Sequence, residues 1–296
     1  MLGLALGDAL GAPYEGGIVE RLTWQTIGLS RSGTLRYTDD TEMAVGLAES
    51  LLACGGFDAD HLARTWADRA SPNRGYGGGA LAVLNLIRQG VAWQDANRRV
   101  FPDGSFGNGG AMRALPIGLY HHNDPMRLTT VARQASEITH AHQLGIEGGL
   151  VIARAGAAAV HAADSHGLLN AIKDDDLNEP YRGQLTQARQ WLDATPPPPL
   201  DEVSARLGNS ILAHESAVTA IYLAARNLDH GFESLITEVI GLGGDVDTIG
   251  AMAGGIVGTA LGYSALPQQP LNQLEDRQHI ESLAQRLAAV ITAEKT

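Results

Sequence analysis

The chain has 296 residues, 44% of them hydrophobic, enough to bury a sizeable core as one large domain or two small ones. Its formal net charge of −12 excludes an ordinary nucleic-acid binder, which needs a basic stripe, and obliges any anionic ligand to find local compensation. A single cysteine, Cys54, excludes an intrachain disulfide and favours a reducing, cytoplasmic setting.

The opening MLGLALGDALGAP is apolar, but it lacks a basic start and Asp8 interrupts it, so it reads as a helix rather than a secretion signal. GIVERLTWQTIGLS holds the one strand or hairpin signal. After Thr38-Asp39-Asp40-Thr41, residues Met43, Ala44, Leu47, Ala48, Leu51 and Leu52 fall on one helix face, ended at Cys54-Gly55-Gly56. FDADHLARTWADRA predicts a second helix capped by Asp58 or Asp60, GGALAVLNLIRQG a third closed by Gly90, and AWQDANRRV a short fourth. In SFGNGGAMRALPIGL, Pro116 removes a helical hydrogen bond, so that helix starts late or kinks.

AHQLGIEGGLVIARAGAAAVHAA is so rich in small apolar residues that it predicts a long central helix buried nearly all round. KDDDLNEPYRG and TPPPPL bracket a short helix and read as surface connections in an insertion at about residues 164–200. They are not a domain boundary, because chemistry-bearing motifs lie on both sides. NSILAHESAVTAIYLAARNL and GFESLITEVIGLG predict two more helices, followed by a glycine-rich helix from about Thr248 and a polar closing helix near 271–293. Residues 248–263 carry no charge but span only 16 positions, too few to cross a membrane. The expected fold is all-α, a single domain over 1–296.

Two acidic clusters stand out two hundred residues apart. The first is Thr38 to Thr41, and the second is Asp245, Asp247 and Thr248 in GLGGDVDTIGAMAGG. Each is expected in a short non-helical lead-in to an apolar helix. Asp245 and Asp247 do not share a helix face, but in a turn eased by Gly243 and Gly244 they can point the same way. The ordinary reading of either cluster is a helix cap with acids that favour the dipole. If the two helix starts face each other, however, four carboxylates and two hydroxyls converge, and only cations between them relieve the repulsion. Oxygen-only donors select hard divalent ions, Mg²⁺ or Mn²⁺ over Zn²⁺, and a bridged pair of ions suits metal-assisted hydrolysis. Gly250, Gly254, Gly258 and Gly262 repeat every four residues. At about 1 kcal/mol each in a helix interior, they need the offset of close packing against another helix, which would bring the acidic ends together.

The blocks GLALGDALGAPYEG, YTDDTEMA, RGYGGG, SFGNGGAMRALPIGL, ITHAHQLG, ESAVTAIY and GGDVDTIGAMAGGIVGTALG run in order over nearly the whole chain. In these blocks the sequence resembles the ADP-ribosylglycohydrolase family. The resemblance implies a compact orthogonal multi-helix fold and two Mg²⁺, with Mn²⁺ possible, held by Thr38, Asp39, Asp40, Asp245, Asp247 and Thr248. It leaves Thr41 as a helix-start residue and Asp8 as a structural acid bonding nearby amides. Glu15 is implied as a catalytic carboxylate over the metals, where it positions water, holds a metal or protonates the leaving group. SFGNGG implies ADP-ribose contacts from Ser105, Phe106, Gly107 and Asn108, with loop amides and the following helix start receiving the diphosphate. Gly75, Tyr76 and Gly77 are implied over the distal ribose, and His140 as a phosphate or ribose donor.

The implied function is metal-dependent cleavage of the N- or O-glycosidic bond between ADP-ribose and an acceptor, by a monomer acting away from nucleic acid and membranes. The partner is an ADP-ribosylated protein or an ADP-ribose-containing small molecule, and GNGGAMR leans toward serine-linked and O-acetyl substrates. A catalytically silent ADP-ribose-binding relative and a Mg²⁺-dependent nucleotide phosphohydrolase are the alternatives. Family members carry several residues before the first block, whereas this chain begins almost inside it, so its first helix is expected to be a turn short.

Overall fold

A computed structural model describes residues 1–16 and 33–293; the strand expected at 17–30 lies outside them. In chain order the helices are α1 Leu2–Gly11, α2 Asp39–Cys54, α3 Ala59–Arg69, α4 Gly78–Arg88, α5 Trp93–Val100, α6 Gly109–Met112, α7 Leu115–Tyr120 and α8 Pro125–Glu137. Then come α9 Gln143–Ala159, α10 Ser165–Ala171, α11 Tyr181–Leu192, α12 Leu200–Leu207, α13 Ala217–Arg226, α14 Phe232–Leu242, α15 Val246–Leu261, α16 Gln268–Gln273 and α17 Arg277–Ala293. Among the described residues there is no strand, only isolated bridges at Leu35–Leu274 and Gly107–Leu212.

Local chemistry sets most boundaries. Asp58, not Asp60, caps α3 by accepting from the His61 N–H at 2.8 Å. Gly55, at φ 61°, closes α2 in the left-handed conformation that glycine adopts without strain. Pro116 sits in the first turn of α7, so the expected single helix is broken into α6 and α7. The long helix α9 is buried on nearly every side, with only Gln143 at its start exposed and Leu144, Arg154 and Ala157 partly so.

Three expected helices start or run differently. The glycine-rich helix begins at Val246 rather than Thr248, which places Asp247 and Thr248 inside its first turn. The helix expected over NSILAHESAV begins only at Ala217, because Ile211 and Leu212 run extended against the glycine loop, with Asn108 N–H donating to Ile211 O at 2.9 Å and Ala213 N–H to Phe106 O at 3.0 Å, and Ala213–Glu215 form a single 3-10 turn. The closing helix is split between α16 and α17, where residues 273–275 pair with Leu35 and Asp276 takes φ 50°. The insertion is also tied in more firmly than a surface connection. Asn178 donates its backbone and side-chain N–H to the fully buried Glu147 at 3.1 and 2.8 Å, and Tyr181 Oη–H donates to Leu144 O at 2.6 Å.

The centre of the fold is the crossing of α1 and α15. The glycine stripe does pack closely, but its partner is α1, which carries its own glycines at the same spacing, Gly3, Gly7 and Gly11. A Cβ on Gly7 would overlap Gly250 O, and one on Gly254 would stand 2.6 Å from Gly3 O. Only Gly250, Gly254 and Gly258 take part; Gly262 ends the helix at φ 80°. The two backbones thus touch directly. That contact carries the end of α1 to the start of α15.

Candidate active site

Asp8, on the inner face of α1, is fully buried. Its carboxylate accepts from Thr38 N–H at 3.0 and 3.1 Å, from Thr41 N–H at 3.1 Å, and from the Thr41 hydroxyl at 2.6 Å. The structural acid therefore holds amides thirty residues along the chain and pins the start of α2 to α1. Three residues on, a Cβ at Gly11 would lie 2.7 Å from Asp247 Cα, so the same helix abuts the start of α15. One short helix aligns both acidic clusters.

The lead-in before α15 is a double glycine turn, Gly243 at φ 69° and Gly244 at φ 78°. Gly244 leaves no space for a side chain against Asn209 O, which accepts from the Asp245 N–H at 2.9 Å. Asp245 occupies the N-cap position of α15 without capping it; its carboxylate instead accepts from Asn108 Nδ2 at 2.5 Å. Each cluster straddles its helix start: Thr38 and Asp245 stand in the non-helical lead-ins as N-cap residues, whereas Asp39, Asp40, Asp247 and Thr248 lie in the first turns of α2 and α15. Capping and cation binding are here compatible, because the positive helix ends offset part of the carboxylate repulsion.

The clusters meet. Oxygens of Asp8, Asp40 and Asp247 lie within 4.8 Å of one another, as do those of Glu15, Asp245 and Asp247, so two carboxylate triads share Asp247. Thr248 Oγ1 lies 3.5 Å from Asp40 Oδ1, while Asp40 Oδ2 is buried with no hydrogen-bond partner. Burial, and then the charge of neighbouring acids, holds Asp39, Asp40 and Asp247 well above the usual carboxylate range, and burial raises Glu15. Asp8 is pushed up to about 6 by burial despite the hydrogen bonds it accepts from Thr38 and Thr41. A cage of oxygen donors with an orphaned oxygen and mutual repulsion fits hard divalent cations. Thr38 is placed differently: its Oγ1 caps α2 through the Asp40 N–H at 3.3 Å and does not line the cleft.

Above the acids opens a cleft of about 430 Å³, walled by Asp39, the loop at Gly75 and Gly77, and the stretch Ser105 to Asn108. A larger cavity of about 540 Å³ between α8 and α9 is lined mainly by apolar residues and holds none of the acids. Phe106 is 44% exposed at the rim, edge-on to His142 at 5.3 Å, and faces the same opening as Ile211, 65% exposed. Asn108 lines the cleft with its amide already committed to Asp245 and Ser216 Oγ. The helix after the loop, α6, has only four residues, so an anion here would rely on loop amides rather than on a long dipole.

Tyr76 departs from its expected place over a sugar. Its ring is buried beneath the loop, and its hydroxyl donates to Glu42 Oε2 at 2.7 Å, the same oxygen that accepts from Ser71 N–H at 3.2 Å. Arg74 completes the anchorage through a two-point pair with Glu275 at 2.7 and 2.9 Å and a bond to Tyr37 O at 2.9 Å. Tyr76→Phe leaves buried Glu42 short of one donor, so a loss of about 1–3 kcal/mol in urea unfolding is expected. Turnover should remain within a fewfold of wild type; a hundredfold fall would restore Tyr76 as a ligand contact.

His140 lies in the cleft wall, buried, with Nδ1 2.7 Å from Thr139 Oγ1. Burial, aided by Arg113, pushes its imidazole down to about 3, so it is neutral. His142 caps α9 from Nδ1 to the Leu144 N–H at 3.2 Å. Sequence reasoning missed Arg113, Ile211 and Leu212 in this wall. Arg113 stood inside the quoted SFGNGGAMR block, and a lone cation in an apolar run was the available signal.

A family model described as ADP-ribosylglycohydrolase matches residues 1–296. The chain belongs to the ADP-ribosylglycohydrolase family. Among its relatives, ADP-ribosylhydrolase ARH3 of Homo sapiens is 32% identical over 98% of this chain and 92% of that protein. The ADP-ribosyl-[dinitrogen reductase] glycohydrolase of Rhodospirillum rubrum is 28% identical over 93% of this chain and 88% of its own. A solved structure titled ADP-ribosylglycohydrolase-related protein complex superposes with a TM-score of 0.68 at 28% identity, covering 98% of this chain and 95% of that one. As an ADP-ribosylglycohydrolase family member the chain is all-helical, and no helix among the described residues is long and apolar enough to cross a membrane.

Proposed function

We propose that this chain is a divalent-metal-dependent hydrolase that cleaves the N- or O-glycosidic bond between ADP-ribose and an acceptor, releasing ADP-ribose. The observation that carries it is the pair of carboxylate triads sharing Asp247 at the floor of a cleft walled by glycine loops. Asp39, Asp40, Asp245, Asp247 and Thr248 would hold two Mg²⁺, or Mn²⁺, with Thr38 at the margin of the set. Bound there, the ions would neutralise the acids and polarise oxygen atoms of the substrate and of water.

The chain's own residues do the rest. Gly75 and Gly77 present bare backbone, which lets a ribose settle close to Asp39. The loop amides of Ser105 and Phe106 offer donors to the diphosphate, the Gly107 N–H being taken by Ser105 Oγ at 3.3 Å, and Phe106 with Ile211 offers an apolar rim to the adenine. As the leaving group departs, positive charge grows on the distal ribose, and the carboxylates beneath it favour that state. Glu15, its carboxyl raised above the usual range by burial, stands at the cleft floor within reach of Asp245 and Asp247, where a proton-transfer group is needed. Its carboxyl either gives a proton to the leaving atom or takes one from the attacking water. The substrate is accordingly an ADP-ribosylated protein or an ADP-ribose-containing small molecule.

The test is product analysis with arginine-linked and serine-linked ADP-ribosyl peptides and O-acetyl-ADP-ribose, in Mg²⁺ and in EDTA. Free ADP-ribose from at least one substrate, only with metal, is expected. AMP as the product would mean phosphoester cleavage, and binding without any product would mean a silent relative; either defeats the proposal.

A further inference from the structure

Behind the glycine loop, Arg113, Thr139 and His140 form a chain of contacts. The Arg113 guanidinium is 1% exposed, lies 3.9 Å from the centre of the Trp66 ring, and donates from Nη2 to Thr139 Oγ1 at 2.6 Å. Its other partners are Met43 Sδ and Ala135 O, and its Nε has none; no carboxylate pairs with it among the described residues. The acid whose charge favours it is Asp39, which acts without a direct contact; a buried cation with no paired acid is costly, so its placement calls for a use.

The proton count along the chain supplies one. A guanidinium only donates, so Thr139 Oγ1 turns a lone pair toward Arg113. The hydroxyl proton then has one acceptor within reach, His140 Nδ1 at 2.7 Å. Were Nδ1 protonated instead, the hydroxyl proton would be buried without a partner, which is costly. Nδ1 therefore accepts, and a neutral imidazole carries its proton on Nε2.

That nitrogen faces the loop. A Cβ on Gly109 would stand 2.9 Å from His140 Nε2, and one on Gly107 would stand 3.4 Å away. Two glycines of SFGNGG thus keep the face of Nε2 clear, and His140 opens onto the cleft. We propose that Arg113 and Thr139 are positioning residues that lock His140 as the neutral Nε2–H tautomer, a fixed donor to a phosphoryl or ribose oxygen in the cleft. The identity of that ligand rests on the function proposed above. Burial of the ring beside a guanidinium supports the neutral form.

The experiment has two arms. Imidazole ¹⁵N spectra of the metal-loaded wild-type protein, with His140 assigned by comparison with His140→Gln, should show a single Nε2–H tautomer from about pH 5 to pH 8. An Nδ1–H tautomer, or protonation within that range, overturns the proposal. In the second arm, Thr139→Val keeps the shape and removes the bridge. Its KM for an ADP-ribosylated peptide should rise about tenfold with kcat within about twofold of wild type, and Thr139→Ser should restore both. An unchanged KM in Thr139→Val also overturns it. Failure of the wild-type protein to release ADP-ribose would defeat the proposed function, and the spectrum would still decide the tautomer. If Thr139→Val does not fold, the wild-type spectrum and Thr139→Ser carry the decision.

Discussion

Replacing Asp247 by asparagine is expected to lower ADP-ribose release on the order of a thousandfold while making the metal-free protein more stable. The loss should exceed the ten- to hundredfold typical of groups that merely support a metal ligand, because Asp247 is the one carboxylate common to both triads. The gain in stability follows from the sign of the pKa shifts. Burial and crowding raise the folded-state values of Asp8, Glu15, Asp39, Asp40 and Asp247. Carboxylates shifted upward contribute stability below their unfolded values, and that contribution is lost as pH rises through the folded ones. Asp8 alone, moved from 3.8 to about 6, penalises the folded state by about 3 kcal/mol once ionised. In EDTA, Tm of the wild type should therefore climb as pH falls from about 7 toward 5, and Mg²⁺ at neutral pH should replace that gain. Asp247→Asn should show a higher Tm in EDTA and a much smaller rise with Mg²⁺. Scanning calorimetry of both proteins, with and without metal, reads all of this. A full Mg²⁺-induced rise in the variant would remove Asp247 from the metal centre.

Gly7→Ala is expected to be among the most damaging single-methyl additions the chain can suffer. The new methyl would overlap Gly250 O, a backbone atom that no side-chain rotation can move. Overpacking against a fixed backbone atom falls at the upper end of the usual range, about 3 kcal/mol, roughly a 5 °C fall in Tm for a domain of this size. Activity should fall with it even below the melting range, since Asp8 is the next residue and sets the start of α2. Gly78→Ala is the control: it lies at the first position of α4 with nothing within 4 Å of its would-be Cβ, so its Tm should hardly change. Equal stability of the two variants would disprove the direct backbone contact.

The sequence made the chemistry of this site more legible than its geometry. Both acidic clusters could be found because side chains of one chemical type stood together before an apolar period, and Asp40 and Asp247 do converge. The glycine stripe could be read as a close packing surface, yet its partner could not, although Gly3, Gly7 and Gly11 repeat at the same spacing. Spacing reveals a bare face and is silent about what covers it. Tyr76 was misplaced for a related reason. A tyrosine among glycines looks like a ligand contact, and only the tertiary position of Glu42, two residues beyond Asp40, turns its hydroxyl inward. The extended run at Ile211 and Leu212 escaped notice because its apolar residues fit a helical period, and backbone pairing with the glycine loop overrides that preference. Arg113 was overlooked because its worth depends on a threonine 26 positions away.

The run from Asn209 to Ala213 fastens by its backbone to the glycine loop on one side and to the turn at Gly244 and Asp245 on the other. The shape of the glycine loop and the placement of the acids consequently share one mechanical brace, and neither can be retuned by an insertion there without disturbing its counterpart. The rim at Gly75 and Gly77 is moored elsewhere, through Tyr76 and Arg74 to Glu42 and Glu275. That side of the cleft can therefore be remodelled more freely, because a change of loop there leaves the brace intact.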